Sequence, residues 1–264
     1  MKYGQNTSLA EALKIQGRVI FALLMREILT RYGRGNLGFL WLFIEPLLFT
    51  LMIVFVRQAV KMNTFFDMDV AFILTGYPMI LMWRNASNRA IGAVKANLSL
   101  MYHRNVRVFD TLFSRVLLEV IGATVAQIGL VGLLIFIGMI DMPADLFYML
   151  AAWTLMAFFA LGLGTIICAI AYHFDKFGKI WNIGSFLMMP LSGAFFYVHS
   201  LPPKAQEFFL WIPMVSGTEM FRHGYFGDTV ITHERIAYLI IFDLAMLLFG
   251  MSEIRKISKG IEPK

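Results

Sequence analysis

The sequence predicts an all-α integral membrane protein, and composition and hydropathy carry that prediction. The chain has 264 residues, of which 59% are hydrophobic and 15% charged, and its mean hydropathy is +0.69. A soluble domain has roughly 45–50% apolar and about 25% charged residues. The apolar residues come in long runs and lack the alternation that is typical of a membrane β-barrel. Helices remain, because lipid offers no hydrogen-bond partner to bare backbone groups.

The first predicted element is an amphipathic helix over residues 8–34 that lies in the membrane interface. Ser8 followed by Glu11 fits a capping box, which favours a helix start there. Apolar residues then recur at helical spacing with basic residues between them, as in interfacial helices. These apolar residues are Leu9, Leu13, Ile20, Leu24 and Ile28. An ordinary solvated helix is the alternative interpretation.

Six apolar segments of roughly membrane-spanning length follow. One helical crossing needs about 20 apolar residues. Between the fifth and sixth segments, residues 201–228 hold two shorter apolar pieces, punctuated by Pro213 and Gly217, which indicate re-entrant or interfacial helices. We predict a single transmembrane domain over 1–264, with spans at 37–60, 70–85, 109–140, 146–172, 180–198 and 236–251.

The distribution of Lys and Arg predicts the orientation in the membrane. Cytoplasmic connections carry an excess of these residues. With the N-terminus in the cytoplasm, 18 of the 23 Lys and Arg residues fall on the cytoplasmic side. Both termini are therefore predicted to be cytoplasmic. The same asymmetry explains the net charge of +6 without a nucleic-acid partner.

Several catalytic and nucleotide-binding motifs are absent from the sequence. Gly178-Lys179 is followed by Ile180 and lacks the glycine pattern of an ATP-binding phosphate loop. His233-Glu234 lacks the second histidine of a zinc-protease motif, and Cys168 is the only cysteine. We therefore predict that the chain is not an enzyme and holds neither a cofactor nor a metal.

Three carboxylates lie inside predicted spans: Glu45, Glu119 and Asp243. A charge at the bilayer centre costs roughly 2.5–3.5 kcal/mol, so such a residue normally faces a cavity or a partner. Each carboxylate is interpreted either as a pore-lining or gating group or, alternatively, as a structural partner of an arginine or a residue near the membrane interface. The predicted channel-lining residues are Trp41, Glu45, Tyr77, Trp83 and Tyr197. Anchoring at the membrane interface is the alternative for the aromatic ones.

The run from Arg26 to Pro46 resembles the start of the first span in ABC-2 type permeases, specifically the polysaccharide exporters of Gram-negative bacteria. The resemblance is carried by Arg26, Arg31, Tyr32, Arg34, Leu37, Gly38, Leu40, Trp41 and Pro46. Similar elements before the last span are Phe196, Tyr197, Leu201, Pro202, Trp211, Pro213, Glu219, Arg222 and Tyr225. Length and overall pattern are most similar to the permeases of group 2 capsule export, which move polysialic acid and related acidic capsules. Glu45 departs from the family, in which a neutral residue is frequent there.

The resemblance implies an ABC-2 fold of the type V exporter kind and a homodimer that works with two ATPase subunits. ATP and Mg would be bound by those partners, in agreement with the missing phosphate loop. The cargo would be a lipid-linked acidic capsular polysaccharide, which moves from the cytoplasm through the bacterial inner membrane to the periplasm. Capsule export proteins of the periplasm and outer membrane would receive it, and we expect them to contact residues 201–228.

The resemblance also implies roles for two basic regions. The connection 95–110 would be the cytoplasmic coupling helix that contacts the ATPase, through Tyr102, His103, Arg104, Asn105 and Arg107. A connection that only sets topology is the alternative. Arg26, Arg31 and Arg34 would meet the acidic substrate at the cytoplasmic face, although they attract anionic lipid headgroups equally well.

Three other functions are weighed against polysaccharide export. An ABC-2 permease for a small drug or lipid would have the same fold without a polymer-wide channel. A membrane-embedded sugar transferase would be active without an ATPase, and a proton-driven carrier would transport without ATP.

Overall fold

The computed structural model describes residues 8–32, 44–45, 47–49, 51–52, 55, 70–103 and 106–261. Within the predicted span 37–60, the described residues 44–45, 47–49, 51–52 and 55 are helical, and the other residues of that span, Trp41 included, lie outside the described residues. The α-helices are α1 (Leu9–Tyr32), α2 (Val70–Ala90), α3 (Leu98–His103), α4 (Val108–Phe136), α5 (Leu146–His173), α6 (Phe177–Leu187), α7 (Pro203–Phe209), α8 (Pro213–Phe226) and α9 (Ile236–Ile261). Short 3-10 turns occupy Lys95–Asn97, Pro190–Ser192, Val198–Ser200 and Gly227–Thr229.

Helix α5 is the centre of the packing. It runs against α9, α2 and α8, while α1 packs on α4. The approach of α9 to α5 is close because Gly250 has no side chain. A Cβ atom added there would lie 2.6 Å from the Cβ of Thr165. Small residues at helix contacts are the usual means by which membrane helices bring their backbones together.

Three of the described helices are long and apolar enough to cross a membrane. They are α4, α5 and α9, of 29, 28 and 26 residues. Large apolar side chains stay exposed on their outer faces, including Phe136 and Ile128 on α4 and Leu248 and Ile241 on α9. Such faces need lipid or protein to cover them.

The helix bounds differ from the predicted spans in ways that packing explains. Helix α5 agrees with the prediction 146–172 to within one residue at its end. Helix α9 continues beyond the predicted 251 because Ile254, Ile257 and Ile261 are buried at helical spacing. Helix α2 likewise extends beyond the predicted 85 to Ala90, which is fully buried.

The predicted span 180–198 is not one continuous helix. Helix α6 ends at Leu187, and a 3-10 turn follows at Pro190–Ser192. Gly193 then adopts a φ of 81°, in the left-handed region that glycine tolerates. Proline also lacks the N–H that would continue a helical ladder. Apolar content alone suggested a span, and Pro190 and Gly193 interrupt the helix within that predicted span. The two apolar pieces predicted in 201–228 do not coincide with α7 and α8: residues 208–215 run from the end of α7 into the start of α8, and residues 220–226 form the second half of α8.

Candidate functional site

Helix α1 is tied by polar contacts to the connection between α2 and α4 and to the start of α4. Arg26 Nη1 donates a hydrogen bond to Asn97 Oδ1 at 2.7 Å. Glu27 Oε1 lies 3.1 Å from Arg115 Nε in an ion pair, and the Gln16 amide donates to Asp110. These pairs are far apart in sequence, so the sequence did not indicate them.

Asn97 is positioned to receive the guanidinium group of Arg26. It is buried in the 3-10 turn Lys95–Asn97, and its Nδ2 donates to the Ala93 carbonyl at 2.8 Å. Because the amide nitrogen is engaged, the amide oxygen points to Arg26. A hydrogen bond from a charged donor is roughly twice as strong as a neutral one. Arg26, predicted to meet substrate, therefore contacts the predicted coupling connection 95–110.

The other predicted coupling residues lie at the end of that connection. The backbone of Tyr102 and His103 forms the last turn of α3. The side chains of Tyr102, His103 and Arg31, and the whole of Arg34, Arg104 and Asn105, lie outside the described residues. Arg107 is exposed, and its backbone N–H donates to Asp110 Oδ2 at 3.0 Å, which closes the start of α4.

A second contact joins the connection 95–110 to the turn between α5 and α6. Lys95 forms an ion pair with Asp175, and both side chains are exposed. The hydrogen bond from Lys95 lowers the pKa of the Asp175 carboxyl below its ordinary value. Two connections that the charge pattern places on the same side of the membrane are thus in direct contact.

Glu45 and Glu119, two of the three carboxylates predicted inside spans, line one cavity. It has a volume of about 20 Å³ and is also lined by Asn85 and Gln127. That is room for a water molecule. Glu119 is buried and pairs with Arg89, whose Nε lies 3.3 Å from Glu119 Oε1. Arg89 is therefore the ion-pair partner that the structural interpretation of Glu119 requires.

Gln127 donates a hydrogen bond to a backbone carbonyl that lacks its helical donor because of a proline. Pro78 sits inside α2 and has no N–H to donate to the Leu74 carbonyl. Gln127 Nε2 donates to that carbonyl at 3.1 Å. The proline is accommodated inside a long helix because a neighbouring helix supplies the missing donor, as is common in membrane proteins.

The aromatic residues predicted to line a channel have different environments. Tyr77 is buried and stacks on Phe49 with ring centroids 4.0 Å apart. Trp83 is 1% exposed and packs edge-on against Phe159. Trp83 is thus enclosed by the described residues, and its place on a channel wall stays a prediction. Tyr197 is half-buried beside Phe72.

At the other end of the molecule, Arg222 organises the segment before α9. It is completely buried, and its guanidinium donates to the carbonyls of Gly193, Ala194 and Phe196 at 2.7–2.8 Å. Its charge lies 3.9 Å from the centre of the Phe72 ring and 3.7 Å from Glu219 Oε1. This cluster fixes the irregular chain after α6 onto α8.

Asp243 is the third intramembrane carboxylate. It lies on α9 and is 2% exposed. Neither of its carboxylate oxygens has a hydrogen-bond partner among the described residues. It does not line the cavity that Glu45 and Glu119 share.

The structure is that of a helical membrane protein of the transporter class. Long apolar helices surround α5, the amphipathic helix α1 packs against them, and an irregular segment precedes the last helix. The basic connections on one side also suit contact with a soluble partner. The chain belongs to the ABC-2 type transporter family, whose family model matches residues 18–226.

Relatives are similar to the chain over 90–100% of its length. The capsule polysaccharide export inner-membrane protein BexB of Haemophilus influenzae is 61% identical, with 100% of both chains covered. The capsule polysaccharide export inner-membrane protein CtrC of Neisseria meningitidis serogroup B is 60% identical over the same share. The polysialic acid transport protein KpsM of Escherichia coli is 28% identical over 90% of this chain and 93% of its own.

Proposed function

We propose that this chain is the permease subunit of an ATP-driven exporter that moves capsular polysaccharide across the bacterial inner membrane. One observation carries the proposal: the 61% identity to an inner-membrane protein of capsule export extends over the full length of both chains. A shared fold alone would not support a shared function. Here the similarity also includes the connections and both regions on which the family resemblance depends.

The proposed membrane arrangement has six spans, α1 in the interface, a re-entrant segment at 201–228 and both termini in the cytoplasm. A stripe of exposed apolar residues on α1 supports its interfacial position, namely Leu13, Phe21, Met25 and Leu29. The contact of Lys95 with Asp175 supports a common side for their two connections. The Lys and Arg distribution supports the orientation.

The proposed assembly is a homodimer with two ATPase subunits, which bind ATP and Mg. The absence of a phosphate loop from the sequence supports an ATPase on another chain. The connection 95–110 is the proposed ATPase contact. Because Asn97 within it is hydrogen bonded to Arg26, movement of the connection would be transmitted to α1.

The proposed cargo is a lipid-linked acidic polymer that enters from the cytoplasm near α1 and is passed to periplasmic and outer-membrane export proteins near 201–228. Support comes from the name of a relative, which is a polysialic acid transport protein. The basic residues Arg26, Arg31 and Arg34 attract anions at the predicted access side.

The proposal is tested by replacing the permease gene of a capsule-forming Gram-negative host with this chain. Without a permease, polymer should accumulate in the cytoplasm, and this chain should restore it to the surface. A variant with Tyr102, His103 and Arg104 changed to Ala should fail to restore export, because the ATPase contact is lost. The matched control is Lys256→Ala, an exposed basic residue near the C-terminal end of α9.

Each other outcome points to another function. Absence of polymer in the deletion strain would indicate a synthetic enzyme. If this chain is expressed normally but never restores polymer to the surface, a permease for small molecules becomes the better account. Full export by the triple Ala variant would remove the coupling role from residues 102–104.

A further inference from the structure

We propose that His199 and His233 form a site for a divalent transition metal, with Zn²⁺ as the probe, at the end of the molecule that holds α7 and α8. His199 Nδ1 and His233 Nε2 face each other at 3.4 Å. The two rings are 5.7 Å apart between centroids and inclined by 30°. The inference does not depend on the transport proposal.

The separation of the two nitrogens is that of two ligands on one ion. Zn–N bonds are about 2.0–2.1 Å long, so two ligands in a tetrahedral site lie about 3.3 Å apart. The observed 3.4 Å matches this spacing. As a hydrogen bond the contact is poor, because donor–acceptor distances of about 2.7–3.2 Å are normal. The geometry therefore suits a shared ion better than a shared proton.

The backbones of both histidines are held in place by neighbouring elements. Gln206 of α7 donates from Nε2 to the carbonyls of His199 and Leu201, at 3.1 and 2.8 Å. The backbone N–H of His233 donates at 3.2 Å to Glu219 Oε2, which belongs to a fully buried side chain on α8. Because the two backbones are already positioned, only the imidazole side chains have to be ordered when an ion binds.

The site is open to solvent and takes two protein ligands. His199 is exposed and His233 half-buried. Among the described residues no group of three His, Cys, Asp or Glu side chains is arranged to hold a metal. Water would complete the coordination, which makes the ion exchangeable. Imidazole nitrogens suit zinc, copper and nickel, and a carboxylate-based calcium or magnesium site is a different type.

The third histidine at this end has other partners. His223 Nδ1 contacts Thr232 Oγ1 at 2.9 Å and lies 3.5 Å from Glu234 Oε1. Tyr148 donates its hydroxyl to the same Glu234 oxygen at 2.8 Å. An ion on His199 and His233 would join the turn before α7 to the connection that leads into α9. The intervening segment with α7 and α8 would thereby be closed into a loop.

The test is calorimetric titration of the purified full chain with ZnCl₂ at neutral pH in a buffer that does not bind zinc. We expect one Zn²⁺ per chain. His199→Ala and His233→Ala should each weaken binding by at least about 10–100-fold, the loss seen when even an outer-shell partner of a metal site is removed. His173→Gln, a histidine at the end of α5, is the matched control and should bind as the wild type does.

A rescue separates a ligand from a residue that only supports the fold. His199→Cys should retain Zn²⁺ binding and gain affinity for Cd²⁺, because a thiolate is a softer ligand. Elution of each variant as the wild type does on gel filtration controls for misfolding. Three results would overturn the proposal: no Zn²⁺ binding by the wild type, binding by His199→Ala or His233→Ala that is as tight as that of the wild type, or binding that depends on His223 instead.

Discussion

Arg222 shows how one side chain can hold an irregular stretch of backbone. A guanidinium group has five N–H donors in a planar fork and remains charged when buried. Three carbonyls of the chain after α6 accept from it, and Glu219 and the Phe72 ring balance its charge. The sequence marked Arg222 only as part of a family pattern. Its partners at 193–196 could not be predicted, because they are backbone atoms of a segment that was expected to be helical.

We predict that Arg222→Met destabilises the chain by about 3–5 kcal/mol, the usual cost of removing one partner from a buried ion pair. Glu219 would be left buried without its cation, and three carbonyls would lose a donor. The measurement is the unfolding midpoint of the purified protein in detergent. Arg235→Met is the control, because Arg235 is exposed and lies 5.9 Å from the Trp211 ring. Equal stability of the two variants would contradict this account.

At the scale of the elements, periodicity and apolar length predicted helices well where the chain is regular. Ser8 begins α1 as expected, with its Oγ accepting from the Glu11 N–H at 3.3 Å. Helix α5 begins at Leu146, where the predicted span 146–172 starts, and the structure adds a cap there, because Asp145 Oδ1 accepts from the Tyr148 N–H at 2.9 Å. Contacts between elements were not predictable. Arg26 with Asn97, and Gln127 with Leu74, depend on which helices pack together.

The contact of α9 with α5 gives a prediction at this scale. Gly250→Ala should destabilise the chain by about 1–3 kcal/mol, as overpacking of a filled core does. The added methyl would meet Thr165 Cβ at 2.6 Å and Ile166 N at 3.3 Å, so the two helices would have to move apart. The matched control is Gly132→Ala on α4, where an added Cβ meets nothing within 4 Å.

The readout is again the unfolding midpoint in detergent. Gly132→Ala should be at least as stable as the wild type, because alanine is the better helix former. If Gly250→Ala were equally well tolerated, α9 and α5 would not be packed as closely as the structure has them.

At the scale of the whole molecule, two clusters of polar contacts lie at opposite ends. One end joins α1, the connection 95–110 and the turn after α5 through Arg26, Asn97, Lys95 and Asp175. The other end holds α7, α8 and the Arg222 cluster. Apolar helices lie between them. This division agrees with the side that the Lys and Arg pattern assigns to each connection, and it makes the orientation testable with two surface residues.

We predict that the two ends are on opposite sides of the membrane. Cys168, the only cysteine, is buried, so a Cys168→Ala background suits labelling. Lys204→Cys on α7 and Lys256→Cys on α9 are matched probes, because both lysines are exposed. In spheroplasts, a membrane-impermeant maleimide should label the cysteine at 204 and spare the one at 256 until the membrane is opened. Labelling of both in intact spheroplasts, or of 256 alone, would contradict cytoplasmic termini and require a different arrangement of spans.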